Sequence, residues 1–125
     1  MDRRAALKDE YKNRPIERGI YQIKNQINGK ILIGSSRNLH GTKSRFEFEQ
    51  LHGGIAQGWF SKDLQQEWRE FGAEQFGFEV LDQLEPRADP NYNYTEDLKT
   101  LEELWLEKLQ PYQERGYNVK KNVKG

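Results

Sequence analysis

The most regular pattern of apolar and polar positions lies in residues 18 to 34. β-Branched residues, which favour strands, recur there on both sides of a polar break. They are Ile20, Ile23, Ile31 and Ile33. The break contains Asn28-Gly29, the residue pair that supplies two left-handed positions to a tight primed turn. The pattern therefore predicts a β-hairpin closed by that turn.

Helix-forming residues, helix-ending signals and, in the last two cases, an apolar face predict four helices in the remaining chain. The predicted ranges are 2–13, about 42–51, 61–72 and 95–110. The third has the strongest local signals, because Ser61 can cap its start and Gly72 can end it. Leu64, Trp68 and Phe71 share one face of that helix. This helix should therefore pack one apolar face against the rest of the protein.

Phe76, Phe78 and Val80 alternate with polar residues and predict a third strand. Residues 85–94 form a loop, and residues 116–121 form either a short closing strand or a further loop. The expected fold class is α+β, a small antiparallel three-stranded sheet flanked by helices, with an extra N-terminal helix. With 125 residues the chain is expected to hold one domain, residues 18–122, preceded by a lead-in over residues 1–17.

Composition restricts the function classes only in part. The chain has 20 basic and 20 acidic residues, whereas nucleic-acid-binding domains usually carry a basic surplus, so any DNA contact must come from local clustering. The absence of cysteine excludes disulfides and thiolate metal sites. No long apolar run or leader is present, and we expect a soluble, cytoplasmic protein without membrane contact.

The last predicted helix places a carboxylate within its apolar stripe. At about 100° per residue, Glu102 projects within the apolar arc, between Leu109 and Leu106. Glu103 and Glu107 point to solvent. Burying a carboxylate costs several kcal/mol unless it is paired, hydrogen-bonded or bound to a metal. Two interpretations of Glu102 are therefore open. It is either an edge residue that reaches water or pairs with an arginine, or a carboxylate directed at the sheet that serves as a metal ligand or general base.

The second predicted helix carries Arg45, Glu49 and His52 on one face. One interpretation is an Arg45–Glu49 ion pair on a solvated surface. The other is an arginine that contacts a phosphate, since the planar guanidinium matches phosphate geometry.

The hairpin contains Gly19-Ile20-Tyr21 and Leu32-Ile33-Gly34, which together resemble the signature of the GIY-YIG nuclease family. Members of this family cut DNA phosphodiesters with one divalent metal ion. The resemblance continues to residue 122, through a late helix with a glutamate and a Gly-Tyr-Asn segment that ends at Asn118. It implies the same fold and DNA as the partner.

The resemblance also implies roles for individual residues. Glu102 corresponds to the glutamate that holds one Mg²⁺ or Mn²⁺, and Tyr21 to the group that hydrogen-bonds or deprotonates the attacking water. Arg45 corresponds to the arginine that stabilises the transition state, and Asn118 to the asparagine that orients its neighbours. Taken alone, a strand tyrosine is most often a packed cross-strand aromatic residue with its hydroxyl in water.

Three departures from the family pattern predict a weakened enzyme. Leu32 stands where the second tyrosine belongs and cannot form a hydrogen bond. Two family histidine positions fall on Glu49 and Trp59, and Glu49 would bring negative charge near a phosphate. Whether His40 or His52 replaces a missing histidine stays open.

Several basic side chains are candidates for contacts with a phosphate backbone. They are Lys24, Lys30, Arg37, Lys43, Lys120 and Lys121. The tail lysines are also typical of a solubilising terminus. The alternative to a nuclease is a catalytically inactive module on the same fold that binds nucleic acid or a protein. The aromatic candidates for that contact are Trp59, Phe60, Tyr92 and Tyr94.

Overall fold

A computed structural model of the protein describes residues 16–52 and 61–119. The predicted N-terminal helix over 2–13, Trp59, Phe60 and the tail lysines lie outside these ranges. Within them the elements are β1 (Arg18–Asn25), β2 (Ile31–Ser36), α1 (Leu39–His52), α2 (Lys62–Phe71), β3 (Phe76–Leu84) and α3 (Thr95–Leu109).

The three strands form one antiparallel sheet in the order β2-β1-β3, which confirms the predicted fold class. In the hairpin, Tyr21 lies opposite Gly34 and Ile23 lies opposite Leu32. The pairing of β1 with β3 is interrupted by a bulge between Ile20 and Tyr21. β1 is therefore the central strand, and β2 lies at one edge.

The hairpin turn differs from the predicted two-residue primed turn. In the connection between β1 and β2, only Gly29 has a positive φ, 77°, and Asn28 does not. The side chain of Asn28 accepts a hydrogen bond from the backbone N–H of Lys30 at 3.0 Å, and that of Asn25 accepts one from Ile27 at 2.9 Å. These local asparagine hydrogen bonds stabilise a longer loop that needs a left-handed residue only at its end.

The helices agree with the sequence pattern except at the start of α1. That helix begins at Leu39 rather than near residue 42, because the Asn38 side chain caps it by accepting a hydrogen bond from Gly41 N–H at 3.1 Å. α2 is capped by Ser61 and ends at Gly72, whose φ is 95°, as predicted. In the described part of the chain, no helix is both long enough and apolar enough to cross a bilayer.

The sheet is covered on both faces. One face packs against α1 and α2 through a cluster formed by Tyr21, Ile23, Leu32, Leu39, Phe46, Leu64, Trp68, Phe76 and Tyr117. Ile20 and Ile33 alternate with those strand residues and are buried on the other face, where α3 packs against β1 and β2. Trp105 of α3 donates a hydrogen bond to Asp82 of β3 at 3.1 Å.

The segment after α3 closes the outer edge of β2 without becoming a regular strand. Tyr117 N–H donates to the carbonyl of Ile31 at 2.9 Å, and Gly116 forms an isolated parallel bridge to the same residue. The Tyr117 side chain is buried, and its hydroxyl accepts a hydrogen bond from Asn25 at 3.1 Å. This segment thereby satisfies backbone groups that an edge strand would otherwise leave unpaired.

Candidate active site

Tyr21 is held in one position by its neighbours in the sheet. Its side chain is 7% exposed, and its ring stacks on Phe78 with centroids 5.2 Å apart. A Cβ atom added to Gly34 would come within 2.5 Å of the Tyr21 hydroxyl oxygen. The hydroxyl therefore lies directly over the backbone of β2 at Gly34, where any larger residue would displace it.

Gly34 is thus a residue of the site that sequence reasoning treated only as part of a signature. The available signal was a glycine inside a strand, which often marks the close approach of another group. No local pattern indicated that the approaching group is the Tyr21 hydroxyl.

Leu32 occupies the position of the missing second tyrosine and belongs to the core. It is 9% exposed, and it packs in the cluster beneath α1 and α2, opposite Ile23. The position therefore contributes apolar packing and no hydrogen-bonding group.

Arg45 lies on the exposed side of α1, adjacent to a buried aromatic residue. That residue, Phe46, packs on Phe78 with centroids 5.7 Å apart, and Phe78 in turn stacks on Tyr21. The turn of α1 that carries Arg45 is therefore linked to Tyr21 through two aromatic contacts. Glu49, one turn later, is half-buried.

The two histidines lie at opposite ends of α1 and are both exposed. The His52 ring stacks on Phe48 with centroids 4.1 Å apart, and its Nδ1 lies 2.9 Å from the Phe48 carbonyl oxygen. His52 is therefore engaged within its own helix. His40 lies in the first turn, next to the end of β2.

Glu102 is half-buried on α3, whereas Glu103 and Glu107 are exposed, which confirms the predicted orientation of the helix. Among residues 16–52 and 61–119, no hydrogen bond or ion pair engages the Glu102 carboxylate. Its oxygens can therefore accept a cation or water without breaking a protein contact.

The donor set fits a metal ion held mainly by water and substrate. The described part of the chain has no group of three or more His, Cys, Asp or Glu side chains that could enclose an ion. Mg²⁺ is commonly held by one or two carboxylates, with water and phosphate oxygens completing its shell. A single half-buried glutamate, Glu102, is compatible with that mode of binding.

Asn118 forms a pair of hydrogen bonds with one residue of β2. Its Nδ2 donates to the carbonyl of Ile33 and its Oδ1 accepts from the Ile33 N–H, both at 2.8 Å. The side-chain amide thus takes the place of a neighbouring strand at the sheet edge. Its contact is with the residue next to Gly34, so it can orient the strand beneath the Tyr21 hydroxyl.

Replacing Asn118 by alanine should lower the free energy of unfolding by about 1–3 kcal/mol, because the Ile33 N–H and carbonyl lose their partners. Urea denaturation monitored by tryptophan fluorescence would measure the change. Val119→Ala is the matched control, since Val119 is 81% exposed and its truncation should have little effect. Equal stability of the two variants would show that the Asn118 bonds contribute nothing.

The elements that carry the four predicted catalytic residues meet at β2. The Tyr21 hydroxyl lies over Gly34, Asn118 binds Ile33, α1 follows β2, and α3 packs on β2 and β1. The helix that carries Glu102 covers the opposite face of the sheet from the Tyr21 ring. A substrate that contacts both must therefore reach them across the edge or end of the sheet at β2.

Lys30 is engaged inside the protein rather than left free for a partner. Its Nζ lies 3.5 Å from Glu67 Oε1 and 5.0 Å from the centroid of the Tyr117 ring. Burial opposes ionisation of Glu67, but the nearby Tyr117 hydroxyl, a hydrogen bond from Asn28 and the Lys30 charge together lower its pKa. Burial, followed by the neighbouring Glu67 carboxylate, raises the pKa of Tyr117, which is therefore neutral at physiological pH.

The other basic candidates are dispersed. Lys24 and Lys43 are exposed, and Lys120 and Lys121 lie outside the described residues. Arg37 is exposed and donates a hydrogen bond from Nη2 to Thr95 Oγ1 at 3.0 Å, which brings it to the start of α3.

Tyr92 and Tyr94 are half-buried in the loop before α3. Their ring centroids lie 5.0 Å apart in an edge-to-face contact. A hydrogen bond of 2.7 Å from the Tyr92 hydroxyl to Asp97 raises the pKa of Tyr92. Both rings are therefore ordered parts of the loop.

Comparison with solved structures identifies proteins of the same fold. One is the catalytic domain of the intron endonuclease I-TevI with a glutamate-to-alanine substitution. The two superpose with a TM-score of 0.62 at 23% sequence identity, and the match covers 88% of this chain and 100% of that chain. Another is the catalytic domain of the homing endonuclease I-TevI: TM-score 0.59 and 25% identity, covering 83% and 99%. No protein-family model and no curated protein sequence matches the chain.

Proposed function

Because the chain has the GIY-YIG-like fold, we propose that it is an endonuclease that hydrolyses DNA phosphodiester bonds with one divalent metal ion. The likeness covers the full length of an endonuclease catalytic domain. The observation that carries the proposal is the position of the Tyr21 hydroxyl over Gly34. A hydroxyl held by a stacked ring on one side and a glycine on the other is positioned in advance for contact with a water or phosphate.

Each proposed residue has a distinct task. Tyr21 hydrogen-bonds the attacking water and orients it toward phosphorus. Arg45 directs its guanidinium at the non-bridging oxygens, where negative charge increases in the transition state. Asn118 acts indirectly, because its bonds to Ile33 hold the strand beneath the Tyr21 hydroxyl.

Glu102 is the proposed ligand of Mg²⁺ or Mn²⁺. When bound, such an ion lowers the pKa of a coordinated water and polarises a phosphoryl oxygen. Because Glu102 is half-buried, its carboxylate contacts less bulk water than an exposed one. In the described residues, no lysine or arginine side chain forms an ion pair with this carboxylate.

Packing at Leu32 favours a second candidate function, a non-catalytic module that binds nucleic acid or protein. A buried leucine supplies none of the hydrogen bonds that a tyrosine would provide at that position. The formal net charge of zero agrees with weak DNA affinity. On the favoured proposal, the same leucine makes the enzyme slow.

Cleavage of supercoiled plasmid in Mg²⁺ or Mn²⁺, compared with EDTA, tests the proposal. Glu102→Ala protein from a parallel preparation reveals any contaminating nuclease. Metal-dependent cutting by the wild type alone is the expected result. If neither protein cuts while the wild type binds DNA, the binding module becomes the better description.

Leu32→Tyr should raise the cleavage rate by about 10-fold or more, since a positioned hydrogen-bonding group typically contributes at least that much. Single-turnover rates on plasmid DNA would measure the gain. Leu32→Met, which conserves volume, is the control for altered packing. A rate equal to that of the wild type in a folded Leu32→Tyr protein would place the defect elsewhere.

A further inference from the structure

Two arginines from separate segments lie on neighbouring tyrosine rings before α3. The guanidinium carbon of Arg18, the first residue of β1, is 4.0 Å from the centroid of Tyr94. The guanidinium of Arg87 is 4.9 Å from the centroid of Tyr92, and its backbone N–H donates to the Tyr94 hydroxyl at 2.9 Å. Because the rings contact each other, the two guanidiniums belong to one surface.

A third arginine reaches this surface through the register of the hairpin. Gly19 pairs with Ser36, so Arg18 and Arg37 leave β1 and β2 at the same end of the sheet. Arg37 then bonds to Thr95, the residue after Tyr94. Arg18 and Arg37 each lie three residues from the Tyr21–Gly34 pair, about 10 Å along a strand.

The arginines on this surface are incompletely paired with carboxylates. In the ranges 16–52 and 61–119, neither Arg18 nor Arg37 forms an ion pair with a carboxylate. Arg87 Nη2 lies 3.8 Å from Asp97 Oδ2, but the Arg87 side chain is 58% exposed. Asp97 also accepts a hydrogen bond from the Tyr92 hydroxyl. Arginines that lack a carboxylate partner can pair with a bound polyanion.

The contacts leave these guanidiniums suited to phosphate. An arginine stacked on a ring uses its planar face, while its N–H donors at the edge stay available for phosphate oxygens. Stacking also restricts the side chain before binding, which reduces the entropy lost on association. Since an arginine already lies over each ring, the surface favours the DNA backbone over unpaired bases.

We infer that this arginine–tyrosine surface binds the phosphodiester backbone of DNA, beside the phosphodiester bond that is cleaved at Tyr21. The surface is formed by Arg18, Arg37, Arg87, Tyr92 and Tyr94. The inference rests on the proposed endonuclease function and extends it by placing a sequence-independent contact at one end of the sheet. The three arginines hold phosphates that flank the reacting one and thereby set the path of the strand across β2.

The test measures DNA binding without cleavage. A fluorescently labelled duplex is titrated with the full chain in EDTA at several salt concentrations between about 50 and 200 mM, and anisotropy gives Kd. In the test variant, Arg18, Arg37 and Arg87 are all replaced by glutamine. In the matched control, the exposed residues Lys62, Arg69 and Arg115 are replaced by glutamine, which removes the same charge.

The test variant should bind at least about 10-fold more weakly, and its plot of log K against log salt should flatten by about 0.9 per lost phosphate contact. The control should stay near the wild type. Because Arg18 and Arg87 also contact rings, the single variant Arg37→Gln guards against unfolding and should show a smaller loss of the same kind. Replacing all three with lysine should restore the salt slope but only part of the affinity.

Equal DNA binding by the test and control variants would overturn the inference, and metal-dependent cleavage by both would leave the proposed function intact. A wild type that neither binds nor cuts DNA would remove both proposals.

Polyglutamate serves as a second probe. If the test variant loses affinity for polyglutamate while its DNA affinity is unchanged, the surface recognises an acidic protein and the inference is wrong.

Discussion

Glu102→Ala is expected to lower metal-dependent cleavage by about 10³-fold or more, while the protein remains folded. A metal ion contributes several kcal/mol to the stabilisation of transition-state charge. Each 1.36 kcal/mol of activation free energy changes the rate by about tenfold. In the described residues, Glu102 forms no hydrogen bond or ion pair whose loss would destabilise the fold. Single-turnover cleavage and urea denaturation would measure the two effects separately.

Glu103→Ala is the matched control for this experiment. It removes the same side chain and charge from the adjacent position of α3, but Glu103 is exposed. Mn²⁺ should raise the Tm of the wild type and of Glu103→Ala by mass action, and it should not raise that of Glu102→Ala. An equal Mn²⁺-induced shift in all three proteins would reject Glu102 as the ligand.

Gly34→Ala is expected to have the second largest effect. The added Cβ would come within 2.5 Å of the Tyr21 hydroxyl and 2.6 Å of Cζ, so the tyrosine must move. Overpacking of this kind costs about 1–3 kcal/mol of stability. A displacement of about 1 Å in a catalytic group can cost about 10²-fold in rate, so cleavage should fall even where the variant is folded.

A double-mutant cycle distinguishes this clash with Tyr21 from a general intolerance of β2 toward a side chain at position 34. Gly34→Ala should destabilise the wild type but have much less effect in a Tyr21→Ala background, because the clashing ring is absent. Gly77→Ala in β3 is the control, since its Cβ would meet only the end of the flexible Gln26 side chain, at 3.0 Å. Equal destabilisation by Gly34→Ala in both backgrounds would show that Tyr21 does not contact this position.

The sequence was a reliable guide wherever the deciding interactions are local. Hydrophobic periodicity and a serine–glycine pair of caps predicted α2 within a residue. The same periodicity placed Glu102 nearer the apolar face of its helix than Glu103, and Glu102 is half-buried whereas Glu103 is exposed. Local competition explains the two errors. At the turn, Asn25 and Asn28 bond to nearby backbone and lengthen the loop, and Asn38 caps α1 earlier than the pattern indicated.

The resemblance to a known family selected Tyr21, Arg45 and Asn118, which periodicity alone does not distinguish from ordinary surface or packing residues. Their roles in catalysis remain predictions. Their surroundings depend on segments far apart in the chain, as in the pairing of the Asn118 amide with Ile33.

By itself, the sequence determined the three strands, the described helices and the placement of Glu102 nearer the apolar face of α3 than Glu103. Those features depend on residues within a few positions of each other. Only the tertiary structure decided that the Tyr21 hydroxyl rests on Gly34 and that Arg18, Arg37 and Arg87 meet at one end of the sheet. Those contacts follow from strand register and from where α3 and its preceding loop pack. No local preference encodes them, since they exist only after distant segments have come together.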